Sequence, residues 1–171
     1  MARIGRKGRL WLRGFHTFFF VSWIGAQICE TMITLMVGSA SDGSALHTYY
    51  TILSLLDFSI IIPCAVLTLI TGLLLCWLTT WGFFKNGWVI YSGVGTIVVM
   101  VVGMVWLAPG KADLLTIVET EGLAALQNSV YMSTWNTVAI LSIVVQAITA
   151  SVVFVSALKP WRKREGAGAA S

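Results

Sequence analysis

Four apolar runs divide the chain, at about residues 15–37, 48–77, 88–107 and 133–158. At a rise of roughly 1.5 Å per residue, runs of this length cross a hydrocarbon core of about 30 Å as helices. The pattern predicts an all-α polytopic membrane protein: an antiparallel four-helix transmembrane bundle with a short amphipathic surface helix between helices 3 and 4. Within the first run, His16, Phe20, Trp23, Gln27, Glu30 and Thr34 recur at alternating steps of four and three, so the polar groups share one helix face. An ionisable group facing lipid costs at least ~2.5–3.5 kcal/mol at a helix centre. This face is therefore expected to look inward.

Each later run carries its own seam. In helix 2 it is Ser54, Asp57, Ile61, Cys64, Thr68 and Thr71; in helix 3, Ser92, Thr96, Val99, Gly103 and Trp106; in helix 4, Ala139, Ser142, Gln146, Thr149, Val153 and Ser156. Small residues let helices approach and hydroxyls bond across them, so these seams are first of all packing surfaces. Gln27 and Gln146 are expected to meet near mid-membrane. Gly93 and Gly95, beside the helix 3 seam, offer a second contact through which copies of the chain would form a homo-oligomer. Tilt, or a kink at Pro63, is expected to absorb the excess length of helix 2, and Pro109-Gly110 to end helix 3. Beyond it, Leu114, Leu115, Val118, Leu123 and Leu126 fall at near-helical spacing while Asp113, Glu119 and Glu121 face elsewhere. This is the predicted surface helix.

Composition supports the membrane reading. Of 171 residues 57% are hydrophobic and 11% charged, against about 25% charged in soluble domains. The net charge of +4 does not imply nucleic acid, because nine of the eleven basic residues lie outside the apolar runs at the two ends. Residues 1–14 form a basic tail, 15–158 a single transmembrane domain, and 159–171 a basic and then disordered tail. The positive-inside pattern places both tails in the cytoplasm, N-in and C-in, with the lipid bilayer as the partner and no nucleic acid. The first run is longer than the apolar region of a signal peptide and ends without a small-residue cleavage site, so it is read as a retained anchor.

The candidate chemistry lies with few residues. Glu30 comes about two turns before the end of helix 1 and Asp57 about two turns into helix 2, so an antiparallel pair brings them to similar depth. Two carboxylates in a low-dielectric site cannot both ionise cheaply, which suits a shared proton or a cation; each could equally be a protonated acid bonded between helices. His16 and His47 start helices 1 and 2 at opposite membrane faces and cannot share one metal or haem. His16 alone is a candidate axial ligand for haem b, or an interfacial histidine; His47 is read as interfacial. Cys29, Cys64 and Cys76 show no Cys-x-x-Cys spacing, and are read as buried apolar thiols; no metal site is assigned.

Arg13-Gly14-Phe15-His16 followed by Trp23-Ile24-Gly25 resembles the helix 1 signature of a family of small bacterial integral membrane proteins without an assigned activity. Asp57-Phe58, Ile62-Pro63, Leu69-Ile70-Thr71-Gly72, Thr80 to Lys85 and Trp88 resemble the same family, over about Leu12 to Pro109. That family is similar to a wider group holding CopD-like copper-resistance proteins and HemJ-like protoporphyrinogen oxidases. The resemblance implies a bacterial cytoplasmic (inner) membrane protein and makes His16 the counterpart of a helix 1 histidine associated with haem. HemJ-like proteins also carry a functional lysine within helix 3; here the nearest lysine to that run, Lys85, precedes it. Three readings stand: a non-enzymatic membrane protein with a polar interior, which is preferred; a haem b redox protein using His16; and a proton- or cation-coupled carrier using Glu30 and Asp57.

Overall fold

The structure, a computed structural model, describes residues 4–78 and 86–159. The interfacial turn expected around Trp81 to Lys85, the basic cluster Arg162 to Arg164 and the disordered end lie outside the described residues. α1 (Arg6–Met36) begins ahead of the first apolar run and takes in basic residues of the tail. A short 3-10 turn and a loop lead to Asp42, whose carboxylate accepts from the Ala45 N–H at 2.8 Å and so caps α2 (Gly43–Leu56).

Span 2 runs through Pro63 without a break in helical structure. Between α2 and α3 (Ile62–Leu78) the helix widens into one π-helical turn, Asp57–Ile61, in which the Ile62 N–H donates to the Asp57 carbonyl. Proline lacks an N–H and its ring crowds the carbonyl four residues back; a wider turn just ahead of it relieves the crowding and lets the helix run on.

The same device recurs in span 3. α4 (Gly87–Val102) passes through a π turn, Gly103–Leu107, where the Ala108 N–H donates to the Gly103 carbonyl, into α5 (Ala108–Glu121) with Pro109 in its first turn. The expected stop at Pro109-Gly110 is corrected: helix 3 continues, and the helix expected between spans 3 and 4 is its direct extension. That extension is amphipathic as predicted, with Leu114 and Val118 buried and Asp113, Glu119 and Glu121 exposed. Its apolar face packs on α2 and on α6 (Ser129–Leu158). Gly122, at φ +58° and ψ −133°, closes α5 in a backbone region that suits glycine. The Asn128 side chain then caps α6, accepting from the Val130 N–H at 2.8 Å.

The protein is thus an all-α bundle of four helices long and apolar enough to cross a membrane, a multi-pass membrane protein. α1 lies against α3 and α6, α4 against α6, and α2 against α5. Spans 1 and 3 stand diagonally. The helix 1 seam faces inward as the spacing predicts: Trp23, Gln27, Glu30 and Thr34 are all buried. The outside is apolar, with Phe18, Phe58 and Phe154 each at least 64% exposed. Such a surface belongs against acyl chains rather than water.

The hydrogen bond expected between Gln27 and Gln146 is not formed, and one of the two glycines beside the helix 3 seam has a packing role within the chain. The amide oxygens of Gln27 and Gln146 are both buried without a hydrogen-bond partner among the described residues, so these two side chains do not bond to each other. Gly95 serves packing inside the chain: a Cβ there would lie 2.6 Å from Val152 Cγ2 of α6. Near the end of the same pair, the Ser92 and Ser156 hydroxyls are 2.7 Å apart.

Candidate functional site

Glu30 of α1, Asp57 at the start of the first π turn, and Lys111 in the first turn of α5 converge in the bundle interior. The Lys111 ammonium donates to Glu30 Oε1 and to Asp57 Oδ2. Side-chain exposure is 8% for Lys111 and for Glu30 and 16% for Asp57, so all three are withdrawn from water and Asp57 keeps the most access. The predicted proximity of Glu30 and Asp57 is met, with an addition the sequence reading missed. Lys111 lies just beyond the expected stop at Pro109-Gly110, outside the four apolar runs. Its signal was present: Gly103, Leu107, Lys111, Leu114 and Val118 step by four, four, three and four. Reading Pro109 as a helix stop broke that seam. Span 3 therefore does contain a lysine, deep in its extension.

The arrangement has a definite charge. Two carboxylates and one ammonium sum to −1 when all are ionised. A buried ion costs several kcal/mol to desolvate, which a well-bonded counter-ion offsets. One carboxylate is matched by Lys111; the other leaves the cluster one positive charge short of neutral. A proton on either carboxylate would make the cluster neutral. A metal ion coordinated by both carboxylates at once is less well suited, because the lysine nitrogen already sits between them.

Beside the cluster lies a cavity of about 140 Å³, lined on one side by Trp23, Gln27, Glu30 and Asp57 and on the other by Val99, Met100, Lys111 and Ser142. Residues of both π turns reach it: Asp57 and Ile61 from one, Gly103, Met104 and Leu107 from the other. Each π turn re-aims the side chains of its span by one position, and this is where the two spans present their groups to the cavity. Three lining residues bring unmet polar atoms. Trp23 Nε1, Gln27 Oε1 and Ser142 Oγ have no hydrogen-bond partner among the described residues, with the residues only 2%, 6% and 5% exposed. Thr34 Oγ1, Thr68 Oγ1 and Gln146 Oε1 are further such atoms, outside the lining.

His16 sits apart from the cluster. Its Nδ1 lies 3.1 Å from the Thr68 carbonyl and 3.0 Å from Thr71 Oγ1. A carbonyl can only accept, and the Thr71 hydroxyl directs its own proton to Leu67 O at 2.6 Å, so Nδ1 carries the hydrogen. In the neutral ring Nε2 then holds the lone pair, the tautomer of an axial haem ligand. The ring stacks on Phe20 and abuts Gly72, where a Cβ would stand 3.2 Å from Cε1. His16 lines neither the polar cavity nor a larger apolar groove along Gly87, Tyr91, Val94 and Gly95. Its visible work is to dock α1 on α3. His47 is at the surface as expected, with Nε2 3.9 Å from Glu119 Oε1 and both side chains about half exposed. A pair so exposed contributes little.

Of the predicted residues, the structure brings Glu30, Asp57 and Gln27 to one cavity and leaves His16 and Gln146 outside it. Cys29 is exposed and Cys64 and Cys76 half-buried, all as free thiols. Compared with known proteins, the chain matches no family model, no curated protein and no solved structure.

Proposed function

We propose that this is a proton-coupled membrane carrier in which Glu30, Asp57 and Lys111 hold one exchangeable proton. The observation that carries the reading is the Lys111 ammonium donating to both carboxylates. Were the interior only a packing surface, one carboxylate would satisfy one lysine, and the second would add a desolvation cost without a partner. With the second present, the cluster is neutral when it holds a proton and carries −1 when it releases it. That difference, buried in a bundle, can be coupled to what occupies the neighbouring cavity. Asp57, the most accessible of the three, is the point of proton exchange. The basic residues at the two ends support an orientation in a bacterial cytoplasmic membrane with both termini inside.

The test is an infrared titration of the protein in lipid nanodiscs. Acidification should raise one carboxylic-acid C=O band, and the band should change or vanish in Glu30→Gln and in Asp57→Asn. A spectrum in which no buried carboxyl titrates in either the parent or the variants sinks the proposal.

A haem reading keeps one supporting observation, the Nε2 lone pair fixed by the His16 to Thr68 bond. Where haem bound, His16 would hold it and the group would supply electron transfer. A Soret band in protein from haem-replete cells, lost in His16→Ala, would carry that reading; a colourless preparation would end it.

A further inference from the structure

We infer that the cavity beside Lys111 is a binding site for the primary-ammonium head of a membrane-dissolved amphiphile, which displaces the proton of the Glu30, Asp57 and Lys111 cluster. This rests on the proton-carrier reading and names the class of its substrate.

Charge is the first argument. The cluster lacks one positive charge, and a monocation supplies it as well as a proton does, so the two exclude each other. The exchange balances. One ammonium head binds, one carboxyl of Glu30 or Asp57 loses its proton to water, and the site stays neutral throughout.

Hydrogen bonding is the second. A primary ammonium has three donors. Gln27 Oε1 and Ser142 Oγ line the cavity as acceptors without a partner among the described residues, beside the two carboxylates. The Trp23 indole, 2% exposed, adds an aromatic wall that favours a cation. Buried polar atoms are ordinarily satisfied, so the two acceptors Gln27 Oε1 and Ser142 Oγ, set beside two carboxylates, suit a ligand head that donates.

Size and access supply the third. Pockets for drug-sized ligands begin at roughly 300 Å³, and this cavity has about 140 Å³. It takes a head group and leaves the rest of the molecule outside. The rim opens between spans 2 and 3, where the lining residues Ile62, Val66 and Met104 are 43%, 40% and 71% exposed. Near these residues along the two spans, Phe58, Ile60, Val101 and Val105 are exposed and apolar, with Ser59 an exposed hydroxyl among them. A ligand arriving there comes from the acyl region, and a single alkyl tail lying over Met104 suits that surface.

The probe is dodecylammonium, charged throughout the range used, with dodecanol as the uncharged counterpart and empty nanodiscs subtracted. Binding to the protein in nanodiscs should saturate at one per chain, release one proton per ammonium bound, and tighten about tenfold per pH unit where the cluster exchanges its proton. Dodecanol should release none. Gln27→Leu and Ser142→Ala, which keep all three charged groups, should weaken ammonium binding at least several-fold while the infrared carboxyl titration persists. If the carboxyl band titrates but dodecylammonium binds without proton release, or no more tightly than dodecanol, the cavity assignment is overturned and the proton reading survives. If no carboxyl titrates, both fall.

Discussion

Lys111, in the extension of span 3, donates to the carboxylate of Glu30 in span 1, joining residues 81 positions apart across the diagonal of the bundle. The same nitrogen donates to Asp57 of span 2, so one ammonium ties three of the four spans together. Removing one member of a buried ionic cluster leaves charge without compensation, at a cost of about 3–5 kcal/mol. Lys111→Met should therefore lose stability on that scale in micelles at neutral pH, read by denaturant unfolding. The deficit should shrink on acidification, because protons then neutralise the carboxylates. Adding Glu30→Gln to Lys111→Met should cost less than the sum of the two single changes, with a coupling of about 1 kcal/mol or more. Strict additivity would show that the pair does not interact.

His16 and Gly72 make a second cross-span test. A Cβ at position 72 would sit 3.2 Å from His16 Cε1, and the ring is held by Thr68 and Thr71, so it has little room to yield. Gly72→Ala should cost about 1–3 kcal/mol by overpacking. In a His16→Ala background the added methyl meets space and should cost much less. Equal costs in both backgrounds would remove His16 from that interface.

The contacts of α4 and α5 with α6 rest on closer approaches still. Gly95→Ala places a methyl 2.6 Å from Val152 Cγ2, and Gly110→Ala one 2.8 Å from Val138 Cγ2. Each should lower the thermal midpoint in detergent, by a cost of about 1–3 kcal/mol. Val152→Ala should rescue Gly95→Ala and leave Gly110→Ala unrescued, since the two clashes lie at different places along α6. Cross-rescue would mean that the helices slide rather than clash locally.

Tyr50 and Tyr131 bond through their hydroxyls at 2.8 Å in the core, joining α2 to α6. Tyr50→Phe leaves the Tyr131 hydroxyl buried without that partner and should cost about 1–3 kcal/mol, whereas the double change to Phe removes both polar groups and should be closer to neutral. Unfolding midpoints that fall steadily from single to double variant would contradict this asymmetry.

The four spans, the inward face of helix 1 and the nearness of Glu30 to Asp57 are legible in the order of residues alone. Each follows from one rule applied within a helix: lipid excludes polar groups, so apolar length sets the spans and polar spacing sets the face. Matching depth then follows from antiparallel connection alone. Tertiary structure decided the rest. Whether Pro63 and Pro109 break a helix depends on the turn before them, and the two π turns that absorb these prolines are stable only in a packed bundle. Once Pro109 no longer ends span 3, Lys111 moves from a surface loop to the interior and becomes the partner of both carboxylates. The polar cavity likewise depends on how four helices meet, because Trp23, Gln27, Asp57 and Ser142 come from three spans and no local pattern states which of them will face a common space. A helix fixes the face on which its own residues lie; only packing against its neighbours fixes what that face meets.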